Sequence, residues 1–593
     1  MARADRIVFL VLACAAWTYV IARAFLVPAV HDEAGAFHMF VLTGDFVPFV
    51  TGWNAGNHFT QDALAQVSYF LFGESLIGLR MWSVLSFLLY AWYLWRCGPW
   101  FRSSMVRRCT WAALLCVPFM IEFFSLARGY GLAMAFWSMT IFHTTRYLQE
   151  RAYRDLLFAL AGLALSLWSL LSMLMILAGV LAALAAFVLR DGSLRRSPRR
   201  LVPIVLLGVV PWAAAVLFAL GLKQNGALYA GTGAGYFQGT LASVAGQLMD
   251  SWSAPWALVL ALLMLSGAAL WTTRMDGPES REPAIAVRLL LAVLSIDAIG
   301  QTLSSILLGS RLPTDRAALY LVQPMLMLVA LSVEMIGARW SWARVLAAGL
   351  LLLPLREVRR ANVDFAVCWP DQAIPAEFYR IVDEHQKRTD RPLVVGAQEF
   401  QAKSTWAFGS HAHGLRLNAL DQFDFPQPVC DLLMIDTTSN AAPAGFRTIA
   451  KGVGGRINLM ERTEPLRTRV LLDSVFSSPM SSDEFRTFWR ADARTYRGKD
   501  LILEISLDIR SARGTINSIV YAYVEEEDGN KPYDRHVQVD HFRGSSHRAE
   551  FALAEHLPRL GPRAARIEFG VYNPAYRTFS LDSARLRVRE VLH

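Results

Sequence analysis

Apolar runs long enough to cross a bilayer, about 20 residues each, recur through the first 356 positions and then stop. The first covers 7–28 and follows Arg3 and Arg6. The others cover 76–96, 109–127, 129–147, 155–171, 172–189, 201–221, 252–273, 288–308, 317–337 and 343–356. About eleven transmembrane helices are therefore expected. The first run reads as an uncleaved helix, because it is long and lacks a clear small-residue cleavage site. Between the first two runs lies a long loop, 29–75. Its stretch 60–74 has helical apolar spacing at Leu64, Val67, Phe70 and Leu71 but is too short to span, so it is expected to lie along the membrane surface.

Past residue 356 the pattern changes. Residues 376–388 carry a helical pattern, and the short apolar runs Leu393–Val395 and Leu432–Ile435 flank turn-rich segments, which predicts a small α/β unit. From 467 onward, alternation takes over. Leu501, Leu503, Ile505, Leu507 and Ile509 form one series, with Ile567/Phe569/Val571 and Leu586/Val588 repeating it. Asp528-Gly529-Asn530 predicts a hairpin turn between 516–526 and 533–541. The expected fold is thus a multi-pass α-helical membrane protein (1–356) followed by an α/β unit (357–466) and a β-sandwich (467–593).

Composition agrees. Of 593 residues, 54% are hydrophobic and 18% charged, against about 25% charged in soluble domains. A single soluble globule is excluded. The 18 Trp, 34 Phe and 17 Tyr exclude disorder, collagen and coiled coil. Residues 1–356 carry 26 Lys and Arg against 17 Asp and Glu, which is the whole of the net +9; the rest of the chain carries 32 of each. These cations sit between apolar runs, at Arg96/Arg102/Arg107/Arg108, Arg146/Arg151/Arg154, Arg190/Arg195/Arg196/Arg199/Arg200, Arg274/Arg281 and Arg339/Arg344. Such loops stay cytoplasmic. The amino terminus is then inside, and an odd number of spans puts the carboxy-terminal half outside, in the periplasm of a bacterium. No clustered basic face suggests nucleic acid. Cys368 and Cys430 lie in the half exposed to an oxidising space and could pair there.

The outer loops hold the candidate chemistry. His31-Asp32-Glu33 follows the first span directly, and two adjacent carboxylates at a membrane surface can take a proton from a hydroxyl or help hold a divalent cation. Asn57-His58 follows in the same loop, then Phe72-Gly73-Glu74-Ser75 and Arg80. Ala127-Arg128-Gly129-Tyr130-Gly131 and Arg311-Leu312-Pro313-Thr314-Asp315-Arg316 open later spans at the same face. An arginine in the hydrocarbon centre costs roughly 2.5–3.5 kcal/mol, so each of these either snorkels to the interface or meets an anionic ligand. Glu122 precedes Arg128 by six residues, and Asp297 lies inside a span. Tyr521, Tyr523, Tyr533, Tyr572 and Tyr576 in the β region are either ordinary strand aromatics or a sugar-stacking surface. His411-Ala412-His413 is a weak metal-pair pattern, since no partners accompany it.

The first span with His31-Asp32-Glu33, Asn57-His58, Phe72-Gly73-Glu74-Ser75, Leu79-Arg80, Ser125-Leu126-Ala127-Arg128-Gly129-Tyr130-Gly131 and Pro313-Thr314-Asp315-Arg316 resembles the GT-C glycosyltransferases. These include protein O-mannosyltransferases and the aminoarabinose transferases of lipid A. The resemblance covers about 1–356, with one departure: Asn57-His58-Phe59 stands where many relatives carry a Pro-rich motif. It implies transfer of a sugar from a polyprenyl-phosphate donor to a hydroxyl of a periplasmic glycan, lipid or protein acceptor at the inner membrane. It further implies Asp32 as general base, with Glu33 as alternate. Arg128 and Arg316 would bind the donor phosphate, with Lys223 and Arg311 as further candidates for the same role. His31, Asn57, His58, Glu122 and Tyr130 are candidate substrate contacts. Asp32, Glu33 and His58 would form a partial shell for Mg²⁺ or Mn²⁺. Readings from other classes are a transporter or flippase for a lipid-linked saccharide, or a non-catalytic envelope glycan-binding scaffold. No repeat with broken helices favours transport.

The orientation is testable directly. In a Ser474→Cys variant, a membrane-impermeant maleimide should label the new thiol in intact spheroplasts; labelling that appears only after lysis would reverse the topology.

Overall fold

The computed structural model describes residues 2–50, 53–190, 201–228, 231–249, 255–273, 281–397, 402–422, 429–438, 440–512, 518–538, 544–545, 548–574 and 576–592. Arg195, Arg196, Arg199, Arg200 and Arg274, used for orientation, lie outside the described residues. So do the start of the expected strand 516–526 and the end of 533–541. The chain forms two compact units. One comprises Met1–Leu26, Asp45–Gly73 and Ile77–Val363; the other comprises Val27–Gly44, Glu74–Leu76 and Asp364–His593.

The first unit is helical. Among the described residues, six helices are long and apolar enough to cross a membrane: Arg3–Leu26, Leu76–Trp100, Leu171–Arg190, Leu201–Gln224, Glu282–Leu308 and Asp315–Arg339. We label the helices of the first 190 residues α1 (Arg3–Leu26), α2 (His31–Ala36), α3 (Phe59–Phe72), α4 (Leu76–Cys97), α5 (Ser104–Leu115), α6 (Gly129–Glu150), α7 (Tyr153–Ser169) and α8 (Leu174–Arg190). The other five expected spans are helical too, but short, broken or more polar. The run 109–127 splits because α5 ends at Leu115: Pro118 has no N–H to continue a helix, and Phe119 takes a left-handed φ of 68°. The runs 129–147 and 155–171 are α6 and the 17-residue α7. The run 252–273 is the helix Pro255–Thr273, and 343–356 is a 3-10 segment, Ser341–Leu351, leading into Leu352–Arg360.

Polar contacts fix how these helices pack. Asp5 of α1 accepts hydrogen bonds from Arg107 and Arg108 of α5, the latter at 2.7 Å. The Glu334 carboxylate accepts from the amides of Arg102 and Ser103 at 3.1 and 3.2 Å, capping the start of α5. His143 of α6 meets Asp155 of α7 at 2.6 Å. The apolar window of Asp315–Arg339 is 94% buried against 28% for α1, so the former is the central helix and the latter peripheral.

Helix α3 is inverted relative to a soluble amphipathic helix. Thr60, Gln61, Asp62, Ala65 and Ser68 are its buried residues, while Val67, Leu71 and Phe72 are exposed and Phe70 is 87% exposed. A helix whose polar side packs inward and whose apolar side faces out suits a lipid boundary rather than water.

In the second unit, a five-stranded mixed sheet has the order β2-β1-β3-β5-β4, formed by β1 (Val395–Ala397), β2 (Asp421–Gln422), β3 (Leu432–Asp436), β4 (Phe446–Lys451) and β5 (Ile457–Arg462). With the helices Ala376–Lys387 and Ala402–Ala412 it makes the α/β part, cored by Phe378, Val382, Trp406, Leu432 and Leu459. The strands that follow are β6 (Arg467–Ser481), β7 (Phe485–Asp492), β8 (Leu501–Ser511), β9 (Ile519–Glu526), β10 (Tyr533–Gln538), β11 (Gly544–Ser545), β12 (Arg548–Leu557), β13 (Ala564–Tyr572) and β14 (Phe579–Leu592). They form two sheets, β10-β9-β13-β7 and β11-β12-β8-β14-β6. Ile505, Leu507 and Ile509 from one sheet and Val524, Ile567 and Phe569 from the other share one core, so this is a sandwich. The expected hairpin is β9–β10, with Gly529 at φ 85° and the Glu526 amide bonded to the Asn530 carbonyl at 2.8 Å. Ile502 and Ala554 pack with Leu433 and Met460, joining the sandwich to the mixed sheet.

The lipid-facing reading of α3 has a direct check. In a cysteine-free background, a spin label at Phe70→Cys should be reached by oxygen far more readily than by a soluble nickel chelate, and one at Val475→Cys on β6 should show the reverse. Similar nickel accessibility at both sites would place α3 in water.

Candidate functional site

The acidic motif begins where the chain leaves α1. Val30 is extended (φ −100°, ψ 159°), and α2 starts at His31. The Val30 amide donates to Glu33 Oε2 at 3.2 Å, and the His31 amide donates to Gln372 Oε1 at 2.8 Å. Glu33 is buried and helps start the helix, whereas Asp32 is half-buried. Adjacent acids of the same charge thus have different surroundings. The segment groups with the second unit, in which the Phe37 ring meets Phe408 edge-on at 5.2 Å. His411 Nδ1 lies 3.3 Å from Glu74 Oε1, and the His38 ring centroid lies 6.4 Å from that of His411. His413 faces Tyr379 instead, with centroids 5.2 Å apart, so the two histidines of the HxH pattern do not converge.

In the first unit the ends of α1, α4 and α6 meet. Arg80 of α4 donates to the Ala24 carbonyl of α1 at 3.1 Å, and Ser83 Oγ donates to the Arg128 carbonyl at 3.3 Å. Arg23, Arg80 and Arg128 are all buried at this junction. Arg23 pairs with Glu122 at 3.3 Å and donates to the Asn362 carbonyl. Neither Arg23 nor its role was legible in sequence, because an arginine three residues from the end of a span looks like a snorkelling cation.

His58 caps α3 and is buried. Its Nδ1 donates to the Ser169 carbonyl at 2.8 Å, and its ring lies 5.2 Å from that of Tyr130. Gly129 makes this approach possible, since a Cβ there would stand 2.0 Å from the Ser169 oxygen and 2.8 Å from His58 Nδ1. Tyr130 in turn rests on Phe123, with centroids 4.5 Å apart. Asn57 donates to the Phe46 carbonyl at 2.9 Å, and its buried Oδ1 has no partner among the described residues.

Asp62 is, with Arg23, a residue that sequence reasoning missed. Its carboxylate accepts from the His58 amide at 2.9 Å and is buried. Burial pushes it up to about 7, although Arg128 nearby and the His58 hydrogen bond favour the charged form. The available signal was its position beside Gln61 on the polar side of a helix whose apolar side cannot be the buried one.

The remaining candidates lie along other segments. Leu312 pairs with Thr232 through two backbone hydrogen bonds of 2.9 and 3.0 Å. Asp315, at φ 51°, donates its amide to Ser243 at 2.9 Å and accepts from Gln247 at 3.2 Å. This pins the loop that carries Arg311, which is exposed, and Arg316, which is half-buried. Lys223 is exposed at the end of Leu201–Gln224. Asp297 accepts from the hydroxyls of Tyr236 at 2.9 Å and Tyr320 at 3.1 Å, and so bridges three segments. Among the described residues, no set of three or more His, Cys, Asp or Glu side chains is gathered to hold a metal ion.

No family model matches this sequence. No curated protein matches it either. Among solved structures, the chain is similar to arabinosyltransferase EmbB from Mycobacterium smegmatis, at 10% identity and TM-score 0.38, over 98% of this chain and 64% of that one. It is also similar to ArnT from Cupriavidus metallidurans bound to undecaprenyl phosphate, at 15% identity and TM-score 0.37, over 78% of this chain and 98% of that one. A third is the Archaeoglobus fulgidus oligosaccharyltransferase with a tethered acceptor peptide, at 12% identity and TM-score 0.38, over 68% of this chain and 63% of that one.

Asp62 gives a pH signature. Its folded value of about 7 lies above the ordinary 3.8, so the folded state binds more protons between these values and loses stability as pH rises through them. Asp62→Asn keeps an acceptor oxygen for the His58 amide. The variant should melt higher than the parent at pH 8 in detergent and nearly equal to it at pH 4. A pH-independent difference would show that Asp62 is ionised throughout.

Proposed function

We propose that this chain is a membrane glycosyltransferase of the GT-C kind. It moves a sugar from polyprenyl phosphate to a hydroxyl of a periplasmic glycan, lipid or protein at the bacterial inner membrane. The reading is supported most by Arg128, buried where α1, α4 and α6 meet with His58, Tyr130 and Asp62 beside it, while Arg23 and Arg80 brace the same junction. Guanidinium groups held in a low-dielectric surround are suited to a phosphate, whose oxygens they can bind in pairs. The order of motifs from His31-Asp32-Glu33 to Pro313-Thr314-Asp315-Arg316 adds the acid and the second cation.

In this reaction the acceptor oxygen attacks the anomeric carbon while the bond from that carbon to the phosphate oxygen breaks. The acceptor proton passes to the Asp32 carboxylate. Polyprenyl phosphate leaves with the bonding electrons, and Arg128 and Arg316 stabilise its added charge. Lys223 and Arg311 are secondary donor contacts. His31, Asn57, His58, Glu122 and Tyr130 shape the substrate site. Glu33 is assigned to helix initiation ahead of proton transfer, because its carboxylate already accepts from the Val30 amide. The base and the cations account for proton and phosphate without routing a step through Mg²⁺ or Mn²⁺.

Purified protein in proteoliposomes, supplied with radiolabelled undecaprenyl-phosphate hexoses and pentoses and an envelope extract as acceptor, tests this. Asp32→Asn should lower transfer by roughly 10²–10⁴-fold with an unchanged melting temperature. Arg128→Ala and Arg316→Ala should lose donor turnover, while Arg6→Ala should not. Parental turnover in Asp32→Asn would remove Asp32 as the base, and label that crosses the bilayer without bond formation would mark a transporter.

A further inference from the structure

The outward face of the sheet β10-β9-β13-β7 is unlike an ordinary solvated sheet face. Tyr521 of β9 stands opposite Gly570 of β13 and His536 of β10. Tyr523 stands opposite Glu568 and Asp534, and Tyr572 stands opposite Phe485 of β7. Residues two apart in a strand share a face, and the intervening Val520, Ala522, Val524, Phe569 and Val571 fill the sandwich core. Four aromatic rings are therefore turned away from the core. Together with Lys531, Asp534, His536 and Glu568 they line a cleft of about 280 Å³. That is close to the lower bound of small-ligand pockets, ~300 Å³, and gives room for a short stretch of ligand.

The floor of the cleft is built. Phe485 and Tyr572 stack at 4.7 Å and 22°, and Tyr521 and Tyr523 lie nearly parallel at 5.9 Å and 16°. Gly570 permits the second pair, because a Cβ there would come within 2.5 Å of the Tyr521 hydroxyl and of the Arg486 carbonyl. Glu568 is buried, at 6% exposure. It accepts from Tyr521 at 3.1 Å, Thr487 at 3.0 Å and Arg490 at 2.9 Å. Although burial opposes its charged form, hydrogen bonds from Tyr523, Thr487, Arg490 and Tyr521 hold this carboxyl below the usual range. The Phe485 ring is 59% exposed. Lys531 sits over Tyr523 with its Nζ 3.9 Å from the ring centroid.

We propose that this cleft is a binding site for a neutral saccharide. Sugar rings present an apolar C–H face ringed by hydroxyls, which calls for an aromatic plate beside fixed donors and acceptors of both signs. The cleft supplies both. A lipid tail would offer Lys531, Asp534 and His536 of the lining no polar partner, and a nucleic acid would need a lining of net positive charge. Of the five tyrosines singled out in the sequence, Tyr521, Tyr523 and Tyr572 belong to the cleft, whereas Tyr533 is buried in the sandwich core and exposed Tyr576 does not line it. The proposal goes beyond glycosyl transfer and does not require it.

The full-length protein in detergent is examined by saturation-transfer-difference NMR with unbranched tetrasaccharides of glucose, galactose, mannose and arabinose. At least one should show saturable transfer, strongest at ring C–H protons. Phe485→Ala removes an exposed ring without removing a hydrogen bond, and should weaken binding at least tenfold at an unchanged melting temperature. Glu568→Gln should weaken it comparably, and Val475→Ser on the opposite sheet should leave it unaltered. Absence of saturable transfer from all four probes, or parental binding in Phe485→Ala, overturns the proposal. The readout is binding alone, so a failed transferase assay leaves it standing.

Discussion

Compensation of buried charge is the constraint on which the helical unit depends. Lipid tails are as apolar as leucine, so helices in a bilayer gain little by hiding apolar surface from one another and associate through close packing and polar contacts. This chain follows that rule at several levels. Asp5 holds α1 to α5 through Arg107 and Arg108, His143 and Asp155 join α6 to α7, and Asp297 gathers Tyr236 and Tyr320. Removing one partner from such a set would leave a charge stranded in low dielectric, which costs more than the pair contributes when intact.

The same constraint shapes the junction of α1, α4 and α6. Arg23 is committed to Glu122 and a backbone carbonyl, and Arg80 to the end of α1. Arg128 lies in the field of Asp62, which burial holds near the protonated form. A cation beside an acid that readily gives up its charge is well placed to accept an anionic ligand, since the approach of phosphate favours protonation of the acid. The inverted face of α3 follows from this arrangement: Asp62 and Gln61 turn inward to the polar junction, and Phe70 is left outside.

The second unit is organised by burial of alternating apolar residues in water, where the hydrophobic effect operates fully. Its strands were accordingly the easiest elements to read. Leu501 to Ile509, Ile567 to Val571 and the Asp528-Gly529-Asn530 turn all lie where alternation and turn chemistry placed them. The helical unit was harder. Hydropathy found the apolar runs, but not that Pro118 and Phe119 divide one of them or that the run after residue 343 begins as a 3-10 segment. A running average of apolarity does not register a missing amide hydrogen.

The amino-acid order alone determined which part of the chain is apolar enough for a bilayer and which alternates as a sandwich, because both properties are local and repeat at the helix or strand period. It also marked His31-Asp32-Glu33, Arg128 and Arg316 as unusual polar positions flanking apolar runs. Only the tertiary structure decided the partners: Arg23 with Glu122, His58 with Ser169 across Gly129, Asp62 beneath its helix, and Tyr521 lying over Gly570 against Glu568. Apart from Asp62, whose bonded partner His58 is 4 positions away, these partners stand 47 to 111 positions apart along the chain. Their meeting depends on how whole helices and strands pack, and spacing along the chain does not carry that information.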